Sequence, residues 1–157
     1  MFEPNGYGSP NLGNNVQLVG GANFGSEPYL VTIGDNTIVS FDCAFVTHDA
    51  ASRVIANLPY CNPETIIYGP ITVGKNCFIG CRSVILPNVK IGDNCIIGAG
   101  SIVNRDIPSN TVAAGVPCKP ICSITEYMLK HKEDFMYINS KPFEEKKKIL
   151  KEKFNIC

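Results

Sequence analysis

The sequence predicts an all-β fold, a parallel β-helix of hexapeptide coils with a projecting loop and a C-terminal helical segment. Three observations predict it. An aliphatic residue followed by a small or polar residue recurs every six positions from Val73 to Val103. A shorter stretch from Ile33 to Val46 repeats the pattern, and the composition changes abruptly at Ile124.

The six-residue period is the most informative of these observations. It fits neither an amphipathic helix, whose period is about 3.6 residues, nor a long strand, whose period is about 2. A short strand plus a turn does fit, and three such units make a triangular coil of 18 residues. Neighbouring coils then lie about 4.8 Å apart and pair as parallel strands. The repeating pairs are Val73-Gly74, Ile79-Gly80, Ile85-Leu86, Ile91-Gly92, Ile97-Gly98 and Val103-Asn104, with Ile33-Gly34, Val39-Ser40 and Phe45-Val46 in the earlier stretch.

Small residues recur four places after the aliphatic ones, where each coil turns a corner. Cys77 and Cys95 lie 18 residues apart, which predicts that they stack in one corner column as small fillers. Glycine and asparagine adopt left-handed backbone conformations at low cost, so they are expected at the turns. The small residues are Thr37, Cys43, Cys77, Ser83, Cys95 and Ser101, and the turn residues are Gly74, Asn76, Gly92, Asn94, Gly98 and Gly100.

The chain is expected to divide into a β-helix domain over residues 1–123 and a helical extension over residues 124–157. The 28-residue interval from Phe45 to Val73 is not a multiple of six, so an insertion at about residues 49–68 should project as a loop. In the extension, apolar spacing predicts two helices separated by residues 139–142. Their apolar residues are Met128, Leu129, Phe135 and Met136, then Ile149, Leu150 and Phe154. These helices are expected to cap the β-helix or to pack on a neighbouring subunit.

Composition argues against several classes of partner. The 14 Lys and Arg residues balance 14 Asp and Glu residues, so no basic excess favours nucleic acid. No stretch approaches the roughly 18 apolar residues of a membrane span and no signal peptide is recognisable, so a cytoplasmic location is expected. Eight cysteines without C-x-x-C spacing and only two histidines favour reduced thiols and no metal site.

The stretch Gly69–Ile121, in which the hexads lead into AAGVPCKP, resembles the hexapeptide-repeat acetyltransferases, among them the galactoside, maltose, xenobiotic and polysaccharide O-acetyltransferases. The resemblance continues upstream over residues 24–49. It implies a left-handed β-helix, a homotrimer with active sites between subunits, and acetyl-CoA as the donor.

The motifs GSEPYLVTIG and FVTHD most resemble the members of this family that act on cell-surface polysaccharides. The implied acceptor is therefore a sugar hydroxyl of a capsular or lipopolysaccharide glycan, or of its precursor. Two alternatives stay open: N-acetylation of an amino sugar, and a non-catalytic β-helix scaffold.

His48 stands at the position of the family's catalytic histidine. A lone histidine is more often structural than catalytic, and the motif around His48 reverses that preference. An imidazole suits the chemistry because a hydroxyl must lose its proton as it attacks a thioester. Asp49 and Glu27 are the candidate partners for the second ring nitrogen, and Glu27 is also a candidate acceptor-binding residue.

By the same resemblance, the backbone amide of Cys81, after Gly80, occupies the oxyanion-binding position. A nucleophilic Cys81 thiol is the alternative, although the family transfers the acyl group directly between bound substrates. Arg53 and Tyr60 in the insertion are candidate acceptor contacts. The matching acetyl-CoA positions are Gly80, Cys81, Gly98, Ala99, Asn104, Arg105, Ala114 and Lys119, with the two cations expected to reach phosphates. Phe78 departs from the tryptophan common before Ile-Gly in the family.

Overall fold

The computed structural model describes residues 8–59, 62 and 64–156. These residues form two compact units that divide between Tyr127 and Met128. The first unit contains short strands, and the second contains helix. The strands are β1 (Asn11–Leu12), β2 (Gln17–Leu18), β3 (Ala22–Asn23), β4 (Val31–Ile33), β5 (Ile38–Val39), β6 (Cys43–Phe45), β7 (His48–Asp49), β8 (Ile67–Tyr68), β9 (Ile71–Val73), β10 (Phe78–Ile79), β11 (Val84–Ile85), β12 (Lys90–Ile91), β13 (Ile96–Ile97), β14 (Ile102–Val103), β15 (Thr111–Ala114) and β16 (Lys119–Ser123). The helices are α1 (Ser52–Ala56), α2 (Ile124–His131) and α3 (Phe143–Phe154), with a 3₁₀ turn at Pro28–Leu30.

Successive strands pass through three parallel sheets in turn. The first sheet has the order β1-β4-β9-β12, the second contains β2-β5-β10-β13-β15, and the third has β3-β6-β11-β14. Each strand therefore pairs with its counterpart one circuit along the chain. The described residues complete four circuits and begin a fifth, in which Ile107 bridges to Ile91 and β15 adds to the second sheet. Antiparallel β16 then ends the second sheet.

Three edges separate the three sheets, and they locate the functional residues. The chain turns from the first sheet to the second at the first edge, from the second to the third at the second edge, and from the third back to the first at the third edge. Each edge is a column of turns stacked one circuit above another.

The aliphatic residues of the six-residue repeat stack inside the coil, as the sequence predicts. In the first sheet Ile33 pairs with Val73, which pairs with Ile91. These side chains are almost completely buried, as are their counterparts in the other two sheets. Burial of each such side chain contributes about 1.5–3 kcal/mol, so the repeat supplies most of the core. The other two stacks are Val39, Ile79 and Ile97, and Phe45, Ile85 and Val103.

The first circuit begins earlier than the repeat analysis predicts. Leu12, Leu18 and Phe24 follow the six-residue spacing and belong to this circuit. Phe24 stacks on Phe45 with ring centroids 4.9 Å apart. The interval from Phe24 to Ile33 is nine residues, so three extra residues break the register and conceal this circuit in the sequence.

The small corner residues are buried, as predicted, and Cys77 and Cys95 are both free thiols. The turn prediction is correct for Asn76, Asn94 and Gly100, which have positive φ. The prediction is wrong for the other three turn glycines, which have no positive φ. Close stacking of the circuits requires glycine at these positions instead. A Cβ on Gly74, for example, would lie 2.7 Å from the carbonyl carbon of Gly92. The other two are Gly92 and Gly98.

The insertion has more structure than the predicted loop. It opens with β7, which pairs antiparallel with β8, and it carries the short helix α1. Ser52 at the start of α1 is buried, and its hydroxyl donates to the carbonyl of Thr65 at 2.6 Å. These contacts join the first and last parts of the insertion to each other.

The second unit contains α3 and the end of α2, so the two predicted helices are present. Helix α2 begins at Ile124 because Ser123 and Glu126 form a reciprocal capping box, with Ser123 N to Glu126 Oε2 at 2.7 Å and Glu126 N to Ser123 Oγ at 3.1 Å. The prediction that Phe135 and Met136 belong to the first helix is wrong, since α2 ends at His131. No helix among the described residues is long and apolar enough to cross a membrane.

Candidate active site

Four side chains meet at the third edge. His48 lies in β7, directly after the chain leaves the third sheet, and Glu27 lies at the same edge one circuit earlier. The two residues are 21 positions apart, which is one 18-residue coil plus the three extra residues that follow Phe24. These three extra residues hide the first circuit in the sequence, and they also bring the Glu27 carboxylate to the imidazole.

Three hydrogen bonds hold the Glu27 carboxylate. His48 Nδ1 lies 2.8 Å from Glu27 Oε2. Thr47 Oγ1 donates to the same oxygen at 2.8 Å, and Ser26 Oγ donates to Oε1 at 2.8 Å. The Glu27 side chain is 14% exposed and that of His48 is 35% exposed, so the carboxylate is covered and the imidazole keeps one side open.

The environment keeps Glu27 ionised. Burial raises the pKa of Glu27, and hydrogen bonds from Ser26, His48 and Thr47 outweigh burial and hold it below its ordinary value of 4.5. An ionised carboxylate only accepts hydrogen bonds, so Nδ1 of His48 must carry a proton to bond with it. In the neutral ring Nε2 is then the basic nitrogen.

Lowering the pH should weaken the folded protein through this carboxylate. Because the pKa of Glu27 is lower in the folded chain than in the unfolded chain, its stabilising contribution is present above the unfolded value and disappears as the pH falls through the folded value. We expect wild type to lose more free energy of unfolding than Glu27→Gln as the pH falls through 4.5 and below. Urea unfolding at stepped pH measures the difference.

The matched control for this measurement is Glu64→Gln, which removes an exposed glutamate in the insertion and should follow the wild-type curve. A stability difference between wild type and Glu27→Gln that does not change with pH would contradict the expectation.

The structure distinguishes between the two candidate partners of His48. Asp49 is exposed, and its Oδ1 accepts from the amide of Ala51 at 2.8 Å, in the turn that leads to α1. The carboxylate on the imidazole is that of Glu27. Asp49 is therefore not the hydrogen-bond partner of the imidazole, because adjacent residues in a strand point to opposite faces. A catalytic role for Asp49 stays a prediction.

The insertion adds one aromatic group beside His48. Tyr68 pairs with His48 across β7 and β8, and their ring centroids are 6.0 Å apart. Arg53 is exposed on α1, and Tyr60 lies outside the described residues. Tyr68, Ser26 and Thr47 are not among the site residues predicted from the sequence. The 21-residue interval was the available signal for Ser26 and Thr47, since it places their segments on neighbouring circuits.

Most of the predicted acetyl-CoA residues form one column at the second edge. Gly80 stacks against Ala99, since a Cβ on Gly80 would lie 2.5 Å from the Ala99 nitrogen. Gly98 stacks against Ala114 in the same way, since a Cβ on Gly98 would lie 2.7 Å from the Ala114 Cβ. Lys119 in β16 pairs with Ala114 and is exposed, so it adds a cation to the end of this column.

The amides of Cys81 and Ala99 donate no hydrogen bond within the described part of the chain. The first edge differs, because there the amide of Lys75 donates to Asp93 Oδ1 at 2.8 Å. The second edge therefore presents two stacked backbone donors that a bound oxygen can accept from. The Cys81 carbonyl is already used, as it accepts from the Gly100 amide at 2.8 Å.

Asn104 and Arg105 lie elsewhere, at the third edge after β14, and both are exposed. Among residues 8–59, 62 and 64–156, neither Arg105 nor Lys119 forms an ion pair. The predicted donor residues therefore divide between two edges. Within one chain, His48 at the third edge and the Cys81 amide at the second edge are separated by the third sheet.

Comparison with known proteins identifies the family. Residues 64–105 match the family described as bacterial transferase hexapeptide (six repeats). Protein CapG of Staphylococcus aureus is 41% identical over 145 residues, which cover 91% of this chain and 83% of CapG. The chain belongs to the hexapeptide-repeat acetyltransferases. The resemblance found in the sequence is thereby confirmed.

Two galactoside acetyltransferases, one a sequence relative and one a solved structure, show how far the similarity extends. Galactoside O-acetyltransferase of Escherichia coli K12 is 42% identical over 100 residues, which cover 64% of this chain and 47% of the relative. The chain therefore spans about half the length of that relative. A solved galactoside acetyltransferase in complex with coenzyme A superposes with a TM-score of 0.55 at 34% identity, covering 82% of this chain and 60% of that one.

Proposed function

We propose that this chain is an acetyl-CoA-dependent O-acetyltransferase that acts on a sugar hydroxyl of a capsular or lipopolysaccharide glycan, or of its precursor. The observation that carries the proposal is the Glu27–His48 pair, in which the carboxylate oxygen lies 2.8 Å from Nδ1. This pair leaves Nε2 of a half-exposed imidazole as a base beside solvent. A scaffold has no need for such an arrangement.

His48 acts as the general base. Its Nε2 takes the proton from the acceptor hydroxyl as the hydroxyl oxygen attacks the thioester carbonyl of acetyl-CoA. The imidazolium that forms is stabilised by the Glu27 carboxylate. When the carbon–sulfur bond breaks, the proton passes from His48 to the departing thiolate, so the products are an acetyl ester and coenzyme A.

The second edge binds the donor in this proposal. The free amide of Cys81 donates to the oxygen that becomes negatively charged, and the amide of Ala99 lies one circuit above it. Lys119 and Arg105, which lack ion-pair partners in the described residues, are suited to phosphate groups. No group of three metal-ligating side chains occurs among the described residues.

The separation of His48 from Cys81 within one chain supports a shared site. We place the imidazole of one subunit against the second edge of another, in a homotrimer of left-handed coils with three such sites. Because acetyl-CoA is a cytoplasmic metabolite, the enzyme is placed in the cytoplasm.

The acceptor meets the His48 side of the site. Tyr68 lies beside the imidazole, with ring centroids 6.0 Å apart, and Arg53 is exposed on α1 of the same insertion. Aromatic and guanidinium groups suit sugar rings and their polar substituents. The name galactoside O-acetyltransferase points to a sugar hydroxyl as the acceptor of that relative.

A panel of hexoses, amino sugars and nucleotide sugars with acetyl-CoA tests the proposal. We expect wild type to release free thiol with at least one acceptor and to form an alkali-labile acetyl ester, identified by mass spectrometry. An alkali-stable amide product would replace the O-acetylation by N-acetylation. Absence of thiol release across the panel would favour the scaffold alternative.

A further inference from the structure

We infer that Thr47 and Ser26 are positioning residues, whose two hydroxyls clamp the Glu27 carboxylate so that it holds His48 in a single tautomer. The inference rests on the proposed role of His48 and adds two residues to it. Neither hydroxyl reaches the imidazole directly, so both act through Glu27.

The Thr47 hydroxyl shares its acceptor with the imidazole. Thr47 Oγ1 and His48 Nδ1 both lie 2.8 Å from Glu27 Oε2, and Thr47 is fully buried. A carboxylate oxygen has two lone pairs, so Oε2 is saturated by these two donors. The Ser26 hydroxyl occupies Oε1 from the other side at 2.8 Å.

The backbone on either side of the clamp is already fixed. Gly25 has a φ of +64°, and its amide donates to Asn23 Oδ1 at 2.9 Å, in the turn that precedes Ser26. Buried Pro28 follows Glu27 and begins the 3₁₀ turn. On the Thr47 side of the clamp, the Thr47 carbonyl accepts from the Gly69 amide at 2.8 Å.

What remains free is the rotation of the Glu27 side chain. Its three side-chain torsions allow the carboxylate to turn away from the ring, and two hydroxyls on opposite oxygens prevent that rotation. With the carboxylate fixed, the proton stays on Nδ1 and Nε2 stays basic. If one hydroxyl is lost, the ring is free to populate the tautomer with a proton on Nε2, which cannot accept a proton from the acceptor.

Thr47→Val tests the clamp, because valine keeps the shape of threonine and removes the hydroxyl. We expect kcat to fall by about tenfold with an unchanged KM for acetyl-CoA, since one hydrogen bond to a charged group is lost. The pH profile of the free energy of unfolding should become shallower on the acid side, because Glu27 loses one of the hydrogen bonds that lower its pKa. Thr47→Ser restores the hydroxyl and should restore kcat to within about twofold.

Thr37→Val is the matched control. Thr37 is equally buried, and its hydroxyl donates to the Gly74 carbonyl at 2.9 Å and accepts from the Cys77 amide at 3.1 Å, at the first edge. This variant removes the same chemical group from the same circuit. We expect it to lower the unfolding temperature without changing kcat or the pH profile.

A spectroscopic readout makes the test independent of the acceptor. Long-range ¹H–¹⁵N correlation spectra report histidine tautomers, and the two histidines are assigned with His131→Gln. We expect one dominant Nδ1–H tautomer for His48 in wild type and in Thr37→Val, and a tautomer mixture in Thr47→Val. If Thr47→Val does not fold, Ser26→Ala removes the donor to Oε1 at a partly exposed position and should give the same mixture.

The outcomes separate the clamp from the base. A single tautomer and wild-type kcat in Thr47→Val, together with an inactive His48→Ala, would overturn the clamp and leave the base in place. Equal turnover by wild type and His48→Ala would instead overturn the proposed function. A Thr37→Val protein that loses as much kcat as Thr47→Val would also overturn the clamp, because the loss would then be structural.

Discussion

We expect replacement of His48 with alanine to lower kcat by about 10²–10⁴-fold, because the acceptor hydroxyl loses the base that removes its proton. KM for acetyl-CoA should not change, since the donor contacts assigned to the second edge do not involve the imidazole. The measurement is thiol release under saturating donor with an acceptor from the panel. The His48 side chain is 35% exposed, so its truncation should leave the coil folded.

The second histidine supplies a matched control for this loss. His131 lies at the end of α2, and its Nδ1 is 3.2 Å from Asp134 Oδ2. His131→Ala removes an imidazole with a carboxylate partner from outside the proposed site, and it should retain wild-type kcat. Comparable losses in both variants would show that any missing imidazole impairs the protein, and would remove the assignment of His48 as base.

The fold could be predicted from the sequence because the aliphatic residues of its core recur every six positions. Ile79 and Ile97 lie 18 residues apart and pair in the second sheet, which is what stacked three-strand circuits require. Local pattern and tertiary contact coincide in such a fold, since each circuit packs on its neighbours. Handedness does not follow from the period, because a coil of either hand brings the same residues into register.

The site was less predictable because its contacts arise from breaks in the period. Glu27 and His48 meet only after three extra residues shift the register between Phe24 and Ile33. Asp49, the nearest carboxylate in sequence, instead accepts from the amide of Ala51. Sequence proximity favoured Asp49 and stacking favours Glu27, and in a coil stacking decides which side chains touch.

Stacking between circuits also explains why glycine occupies some turn positions without a positive φ. Glycine at a turn predicts a positive φ, and Gly100 meets that expectation with a φ of +69°. At Gly80 and Gly98 the constraint comes from the circuit above, where Ala99 and Ala114 leave no space for a Cβ. A single sequence does not distinguish these two reasons for glycine, because the second depends on a residue one coil away.

Replacing Cys81 with proline should lower kcat by about 10²–10³-fold, the usual loss when one oxyanion donor is removed. Proline has no amide hydrogen, and within the described residues the Cys81 amide donates to no protein acceptor. The Cys81 carbonyl, which accepts from the Gly100 amide at 2.8 Å, is retained in proline. The substitution therefore removes the proposed catalytic donor without breaking a hydrogen bond of the coil. Thermal unfolding of the variant checks that the coil is intact.

Cys81→Ala separates the amide from the thiol at the same position. Alanine keeps the N–H and removes the sulfur, so direct transfer predicts near wild-type kcat for Cys81→Ala and a large loss for Cys81→Pro. A thiol nucleophile predicts that both variants lose activity together, because an acetyl-thioester on Cys81 could form in neither. Mass spectrometry of wild type mixed with acetyl-CoA alone adds a direct observation: a 1:1 acetylated protein would favour the thiol, and an unmodified protein would favour the amide.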